Sequence, residues 1–294
     1  ATLIDHAKRR GILETIINTN ATCLDEKTAA ALIDAGLDLI IYSFDGGSKA
    51  SYEKMRPGRF QKNSFEPVYA NIRRFAEIRA AKQAALPRTK IQMILTNETF
   101  AERDAFHALF DDCVDDVSVK QYTERGGKLA ELDADVRDRL DRTLAGRKLP
   151  PDTPFFRDRN GKLFVATGRL PCEQPYQRLL ATYDGRVGMC CYDWGAQHPV
   201  GYVDHLAIEQ GENEYARIVE RARKGDKGFI QLKTVEMPKH YNRPPPAVED
   251  LTAIWTGPEI DAVRRAHVEG RGGDVEICRR CPFKETYSWE EVEG

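Results

Sequence analysis

The stretch "LDLIIYSF" (residues 37–44) is a nearly continuous apolar run of strand length, and its reading decides how the first half of the chain folds. A run of this kind suits a strand covered on both faces, which is the environment of a parallel sheet. Its neighbours keep the same rhythm. "ETIINT", "KIQMILT" (90–96) and "DVSVKQY" (116–122) read as further strands. Between and before them lie helical patterns: "ATLIDHAKRRG", "EKTAAALIDAG" with Asp25 as its cap, "SFEPVYANIRRFAEIRAAK" (64–82) and "FAERDAFHALFDD" (100–112). Strands alternating with helices of about ten residues or more predict an α/β fold, a parallel sheet assembled from βαβ units.

The second half is built differently. After a charged helical stretch, "AELDADVRDRLDRTLAG" (130–146), residues 148–168 are rich in Pro and contain an Asn-Gly pair, which predicts a linker between a first domain, 1–147, and a second, 169–294. "RLLATYDGRVGMCC" predicts a β-hairpin with Asp184-Gly185 in a tight type I′ connection. A polar insertion (206–248) follows, with a helical "NEYARIVERARKG" and a Pro-rich end, and then the helix "PEIDAVRRAHVEG" leads into "VEICRRCPF".

Charge and length narrow the function classes. The 294 residues carry 44 Lys and Arg against 46 Asp and Glu, so the net charge of −2 gives no reason to expect a nucleic acid or an anionic membrane as partner. No apolar run approaches the roughly 20 residues of a spanning helix, the first segment lacks the apolar core of a signal peptide, and the expectation is a cytoplasmic protein.

Seven cysteines in a reducing compartment point to metal ligation, catalysis or core filling rather than to disulfides. Five of them, Cys172, Cys190, Cys191, Cys278 and Cys281, fall in the second half on separate segments able to converge. Four convergent thiolates suit either a structural zinc ion or a [4Fe-4S] cube, and the residues alone leave both open. The bland alternative is unrelated buried thiols.

In order, "PCEQPYQRLLATYDGRVGMCCYDWG", "VGYVD", "LTAIWTGPEIDAVRRAHVEG" and "ICRRC" closely resemble the C-terminal SPASM or Twitch extension of radical S-adenosylmethionine (SAM) enzymes. The first half resembles their barrel: "IINTNATCLD" is similar to the third-strand motif and "LDLIIYSFDGGSKASYEKMRPG" to the fourth strand and its loop. The resemblance implies a partial (β/α)6 radical SAM barrel of about four βα units, followed by a small α+β domain with a hairpin. It implies an auxiliary [4Fe-4S] cluster held by Cys172, Cys190, Cys278 and Cys281, with Cys191 the alternate for Cys190. It also implies that Ser43 and Asp45 belong to the S-adenosylmethionine site, where Ser43 would meet the ribose, and that Arg56 would pair with the methionyl carboxylate. Asp45 has a second reading as a turn residue beside Gly46, and Arg56 as a solvated surface arginine.

The C-x3-C-x2-C motif that binds the family's catalytic cluster and its Gly-Gly-Glu motif are both missing from the sequence. Cys23 and Cys113, the two thiols of the first half, are too far apart to replace the first of these motifs. The expectation is therefore a fragment of such an enzyme, or a chain whose N-terminal part is unobserved or supplied by another chain. The full enzyme would use a 5′-deoxyadenosyl radical to oxidise or modify a peptide, a protein side chain or a sugar-like small molecule. Its catalytic [4Fe-4S] cluster would be reduced by a flavodoxin or ferredoxin, and the auxiliary cluster would relay an electron. Tyr192 and Trp194 are expected around the cluster, with Asp193 and His198 as polar neighbours. The alternative is a non-catalytic, metal-stapled module, with iron-sulfur or zinc, that binds a peptide or partner.

Overall fold

The computed structural model describes residues 1–57, 64–96, 99–121, 153–157, 162–193, 196–210, 216, 220, 224, 246–279, 281 and 283–292. The chain divides into two units, Ala1–Tyr122 and Thr123–Gly294.

The first unit is α/β. Four strands, β1 (Ile16–Thr19), β2 (Leu39–Ser43), β3 (Arg88–Leu95) and β4 (Asp116–Gln121), form one sheet in the order β1-β2-β3-β4. All three pairings are parallel. The helices are α1 (Thr2–Arg9), α2 (Glu26–Asp34), α3 (Lys49–Met55), α4 (Phe65–Ala81) and α5 (Arg103–Phe110). Asp25 caps α2 by accepting from the Thr28 amide at 2.7 Å, as its place before the apolar pattern predicts. Helix α3 is an addition to the sequence reading, which passed over "SKASYEKM" as a loop. Its start is fixed by Ser48, which exchanges hydrogen bonds with Ser51 in a capping box.

Strand β2 alternates rather than being covered on both sides. Ile40, Tyr42 and then Phe44 are buried, while Leu39, Ile41 and Ser43 are only half-buried. The buried row joins Ile91 and Met93 of β3 and packs with Val68, Ile72 and Phe75 of α4 and Phe106 and Phe110 of α5. One face of the sheet is therefore the core of the unit. The opposite face carries the in-register row Ser43, Gln92 and Ser118 and is polar toward the C-terminal ends of the strands. Among the described residues β1 has a neighbour on one side only. Ile16 on this edge, and Leu3, Ile12 and Leu13 before it, are exposed. An edge of this kind offers unpaired backbone groups for a further strand.

Ion pairs tie α4 to the edges of the strands. Arg79 binds Asp115 through Nη2 at 2.9 Å, and the Thr89 amide donates to the same carboxylate at 2.7 Å. The Arg79 guanidinium first, and the Thr89 donors after it, hold Asp115 down to about 2 against the opposing effect of burial. A carboxyl depressed in the folded chain contributes stability above its unfolded value and loses it as pH falls toward its folded one. Urea midpoints of the unchanged chain are thus expected to drop between about pH 4 and pH 2. Asp115→Asn should flatten that limb, and an unaltered slope in the variant would show that the pair contributes nothing.

In the second unit β5 (Phe155–Arg157), β6 (Leu163–Arg169) and β10 (Tyr287–Val292) make an antiparallel sheet in the order β10-β6-β5. This corrects the expected linker at 148–168, because residues 155–157 and 163–168 are strand. Leu163 and Val165 are buried there, and Val165 and Phe164 pair with Glu290 and Glu291 of β10. Proline and the Asn-Gly pair dominated the reading of this stretch, and its apolar alternation was the signal overlooked.

A second small sheet contains β7 (Leu180–Ala181), β8 (Arg186–Gly188) and β9 (Gly201–Tyr202), in the order β7-β8-β9. Strands β7 and β8 form the predicted hairpin, with a different turn. Gly185 is left-handed at φ +88° whereas Asp184 is not. The Gly185 amide donates to the Thr182 carbonyl at 3.1 Å and the Thr182 amide to the Arg186 carbonyl at 2.8 Å. Tyr183 and Asp184 therefore form the turn and Gly185 the bulge after it. A Cβ on Gly185 would come within 2.7 Å of the Asp204 backbone nitrogen, so this glycine is needed for close approach as well as for its conformation. The helix Pro258–Val268 covers the sheet with Ile260, in a core shared with Val187, Met189, Val200, Ile254 and Ile277. The expected helices at 130–146 and 213–225 fall mainly or wholly outside the described residues. No helix among the described residues is long and apolar enough to cross a membrane.

Candidate functional site

Four thiols of the second unit border one cavity. Cys172 follows β6, Cys190 leaves the hairpin, and Cys278 and Cys281 flank the turn after the helix Pro258–Val268; all four line the same space. About 20 Å³ of it is open to the centre of a water molecule, within about 390 Å³ of empty volume that takes in adjoining solvent. Cys190 is on the lining and Cys191 is not. The rest of the wall is mostly apolar, with Met189, Ile277 and Phe283, and the Tyr192 and Phe283 rings lie 5.4 Å apart.

The local backbone explains how the sulfurs are held. The Tyr192 amide donates to Cys190 Sγ at 3.3 Å. The backbone N–H of Gln174 favours the charged form of Cys172, and that of Phe283 the charged form of Cys281. The Tyr192 donor lies two residues after its cysteine, so a tight turn presents the N–H to the sulfur. Cys281 is brought round to Cys278 by a bond from its own amide to the Cys278 carbonyl at 3.2 Å. The loop after Cys190 is fixed by Asp193, which is 1% exposed and accepts from the Gln197 and His198 amides at 3.0 Å each. Asp193 is thus an anchor of the loop.

Burial pushes the Cys190 thiol up to about 11 and Cys278 up to about 12, and it raises Cys172 and Cys281 as well. Four bare thiolates would be costly in this apolar space, and a cationic centre would take the place of their protons. Among the described residues no group of three or more His, Cys, Asp or Glu side chains is arranged to hold a metal ion. A single tetrahedral zinc with bonds of about 2.3 Å would draw its sulfurs to about 3.8 Å from one another.

Three side chains that sequence reasoning missed surround this cavity. Arg169 and Gln174 line it, and Arg169 Nε and Gln174 Oε1 are buried polar atoms with no hydrogen-bond partner. His267, 1% exposed, accepts from the Cys172 amide through Nδ1 at 3.3 Å, and its buried Nε2 has no partner. Burial first, and the Arg169 charge second, lower the affinity of His267 for a proton. Gly272 lets the ring sit there, since a Cβ would lie 2.7 Å from Nδ1. The nearness of Arg169 and Gln174 to Cys172 in sequence was a usable signal. For His267, 95 residues away, none existed.

In the first unit Asp45 and Arg56 meet each other. Arg56 donates from Nε to Asp45 Oδ2 at 2.8 Å, and Nη2 lies 2.6 Å from the same oxygen. Asp45 Oδ1 accepts from the Ile94 amide at 2.8 Å, tying the end of β2 to the end of β3. The Arg56 side chain is 25% exposed, so it is not the solvated surface arginine of the second reading. Ser43 ends β2 on the less covered face. The loop between them is braced by Glu102, which accepts from the Gly47 amide and the Ser48 hydroxyl, each at 2.8 Å. These residues gather at the C-terminal ends of parallel strands, where open α/β sheets place their ligands. Cys23 is exposed and Cys113 half-buried. His198 pairs with Glu276 at 3.6 Å, and Trp194 lies outside the described residues. A scan against protein-family models matches none of them, and a search of the curated proteins finds no match.

Proposed function

We propose that the second unit holds an auxiliary [4Fe-4S] centre through Cys172, Cys190, Cys278 and Cys281, and that the chain is part of a radical SAM enzyme with a Twitch-like extension. The observation that carries this reading is the meeting of four thiols from three segments around one apolar cavity, one of them accepting a backbone N–H. Amide donors to ligating sulfur and an apolar shell are the means by which a protein tunes such a centre. The donor set fits the group. As it stands the cavity has room for about one water molecule, so its walls would have to move apart to admit a cube.

When bound, the centre supplies one-electron transfer, and S-adenosylmethionine at a catalytic cluster supplies the 5′-deoxyadenosyl radical. The chain's own residues bind and orient. Four cysteines would fill every ligand position of the cube and leave no iron for substrate, which suits relaying an electron in the oxidation of a peptide, protein side chain or sugar-like molecule. Met189, Ile277 and Phe283 keep water from the sulfurs. In the first unit Asp45 would orient the Arg56 guanidinium toward a methionyl carboxylate, and Ser43 would meet the ribose, on the interior face of a partial (β/α)6 barrel.

Anaerobic reconstitution with iron and sulfide tests this. The expected result is about four iron and about four sulfide per chain. One zinc with no iron would defeat the reading and leave the metal-stapled binding module. Formation of 5′-deoxyadenosine by the full-length gene product tests the radical chemistry, and its failure in a protein with every cluster loaded would leave the same module.

A further inference from the structure

Of the side chains lining the thiol cavity, all of them among the described residues, Arg169 alone carries a charge. It stands at the end of β6, and no ion pair to a carboxylate is found for it among the described residues. Its Nη1 donates to the Tyr287 hydroxyl at 3.1 Å and approaches the Arg279 carbonyl at 3.4 Å. Its guanidinium carbon lies 4.8 Å from the centre of the Tyr287 ring. Tyr287 in turn donates to the Cys281 carbonyl at 2.8 Å, so the arginine is packed in place beside the C-x-x-C turn. Its Nε is buried and has no acceptor. A half-buried cation without a counter-charge, with a donor left over, is a costly arrangement unless something negative comes to lie beside it. The Arg169 field also reaches Cys172, Cys278 and Cys281, where it opposes the upward push of burial on each thiol.

Four thiolates around a [4Fe-4S] cube supply that negative charge, about −2 in the oxidised state and −3 once one electron is added. The reduced form gains more from a fixed positive charge than the oxidised form does, and the gain is large because the wall excludes water. Resting on the cluster proposed above, we propose that Arg169 is the charge-compensating residue of this centre and raises its reduction potential by favouring the reduced state.

Arg169→Gln and Arg169→Lys in the anaerobically reconstituted chain test the proposal. Each would be assayed for iron and sulfide and titrated with dithionite and mediators, with the reduced cluster followed by electron paramagnetic resonance. Arg169→Gln is expected to lower the reduction equilibrium constant at least tenfold, which is about 59 mV for a one-electron couple. Arg169→Lys keeps the charge and should restore most of that loss. A loaded Arg169→Gln variant with the potential of the unchanged chain would overturn the proposal and leave the cluster reading standing. An unchanged chain that takes up no iron would instead defeat the cluster reading itself. Should Arg169→Gln fail to fold or load, the unchanged chain with guanidinium-¹⁵N arginine decides. A nitrogen hyperfine coupling to the reduced cluster that responds to the label is expected, and its absence overturns the proposal.

Discussion

Cys281→Ala is expected to abolish stable iron loading of the reconstituted chain, while Cys191→Ala loads like the unchanged protein. Cys281 is 8% exposed and lines the cavity, whereas Cys191, the alternate for Cys190, is not on its lining. Changes to groups that merely support a metal's ligands already cost about 10- to 100-fold in affinity. Removing a ligand outright should exceed that range. The comparison is sharp because both substitutions delete one sulfur from neighbouring segments of the same unit. Iron content after gel filtration reads it directly. Full loading of Cys281→Ala would take the C-x-x-C out of the site, and loss of loading in Cys191→Ala would reverse the choice between Cys190 and Cys191.

The largest expected effect on stability lies in the first unit, at Phe44. Its ring is fully buried, 4.2 Å from Tyr52 in a stacked arrangement and 4.9 Å from Phe110 edge to face. Phe65 approaches at 5.6 Å. Phe44→Ala removes the middle of this aromatic group at the point where β2 ends and the loop to α3 begins. A cost of about 3–5 kcal/mol is expected, from lost burial and from a hole the neighbouring rings cannot fill. Because the chain has two units, the appropriate measurement is hydrogen exchange of the Leu39–Ser43 amides in native conditions. A change below about 1 kcal/mol would mean that the rings rearrange to close the gap.

The α/β architecture of the first unit was legible because β-branched strands, helical periodicity and the Asp25 cap all pointed the same way. The burial of β2 was less so. An apolar run is compatible with cover on one face or two, and only pairing partners and helices decide between them. The strands at 155–157 and 163–169 were hidden for a related reason, since β10, which pairs with the second of them, is far along the chain and local turn residues dominate the pattern. The cysteines drew notice by type and spacing, and the structure sets four of them around one cavity. Their companions were harder to find: Arg169, Gln174 and His267 matter through position, and an arginine on a strand end looks in sequence like any solvated one. The Asp45–Arg56 pair shows the same limit, because both residues were singled out for a ligand before their attachment to each other was visible.

The pairing of β10 with β6 also bears on the order of events during synthesis. Tyr287 meets Arg169 across 118 residues, so this sheet cannot close until the ribosome has made the chain through Val292. Cys172 and Cys190 emerge long before Cys278 and Cys281, and would have to stay reduced and accessible in the meantime to share the proposed centre with them. Loading of the proposed centre would therefore have to wait until Cys281 has been made, and a nascent chain stalled within the insertion would expose two unmatched thiols to oxidation.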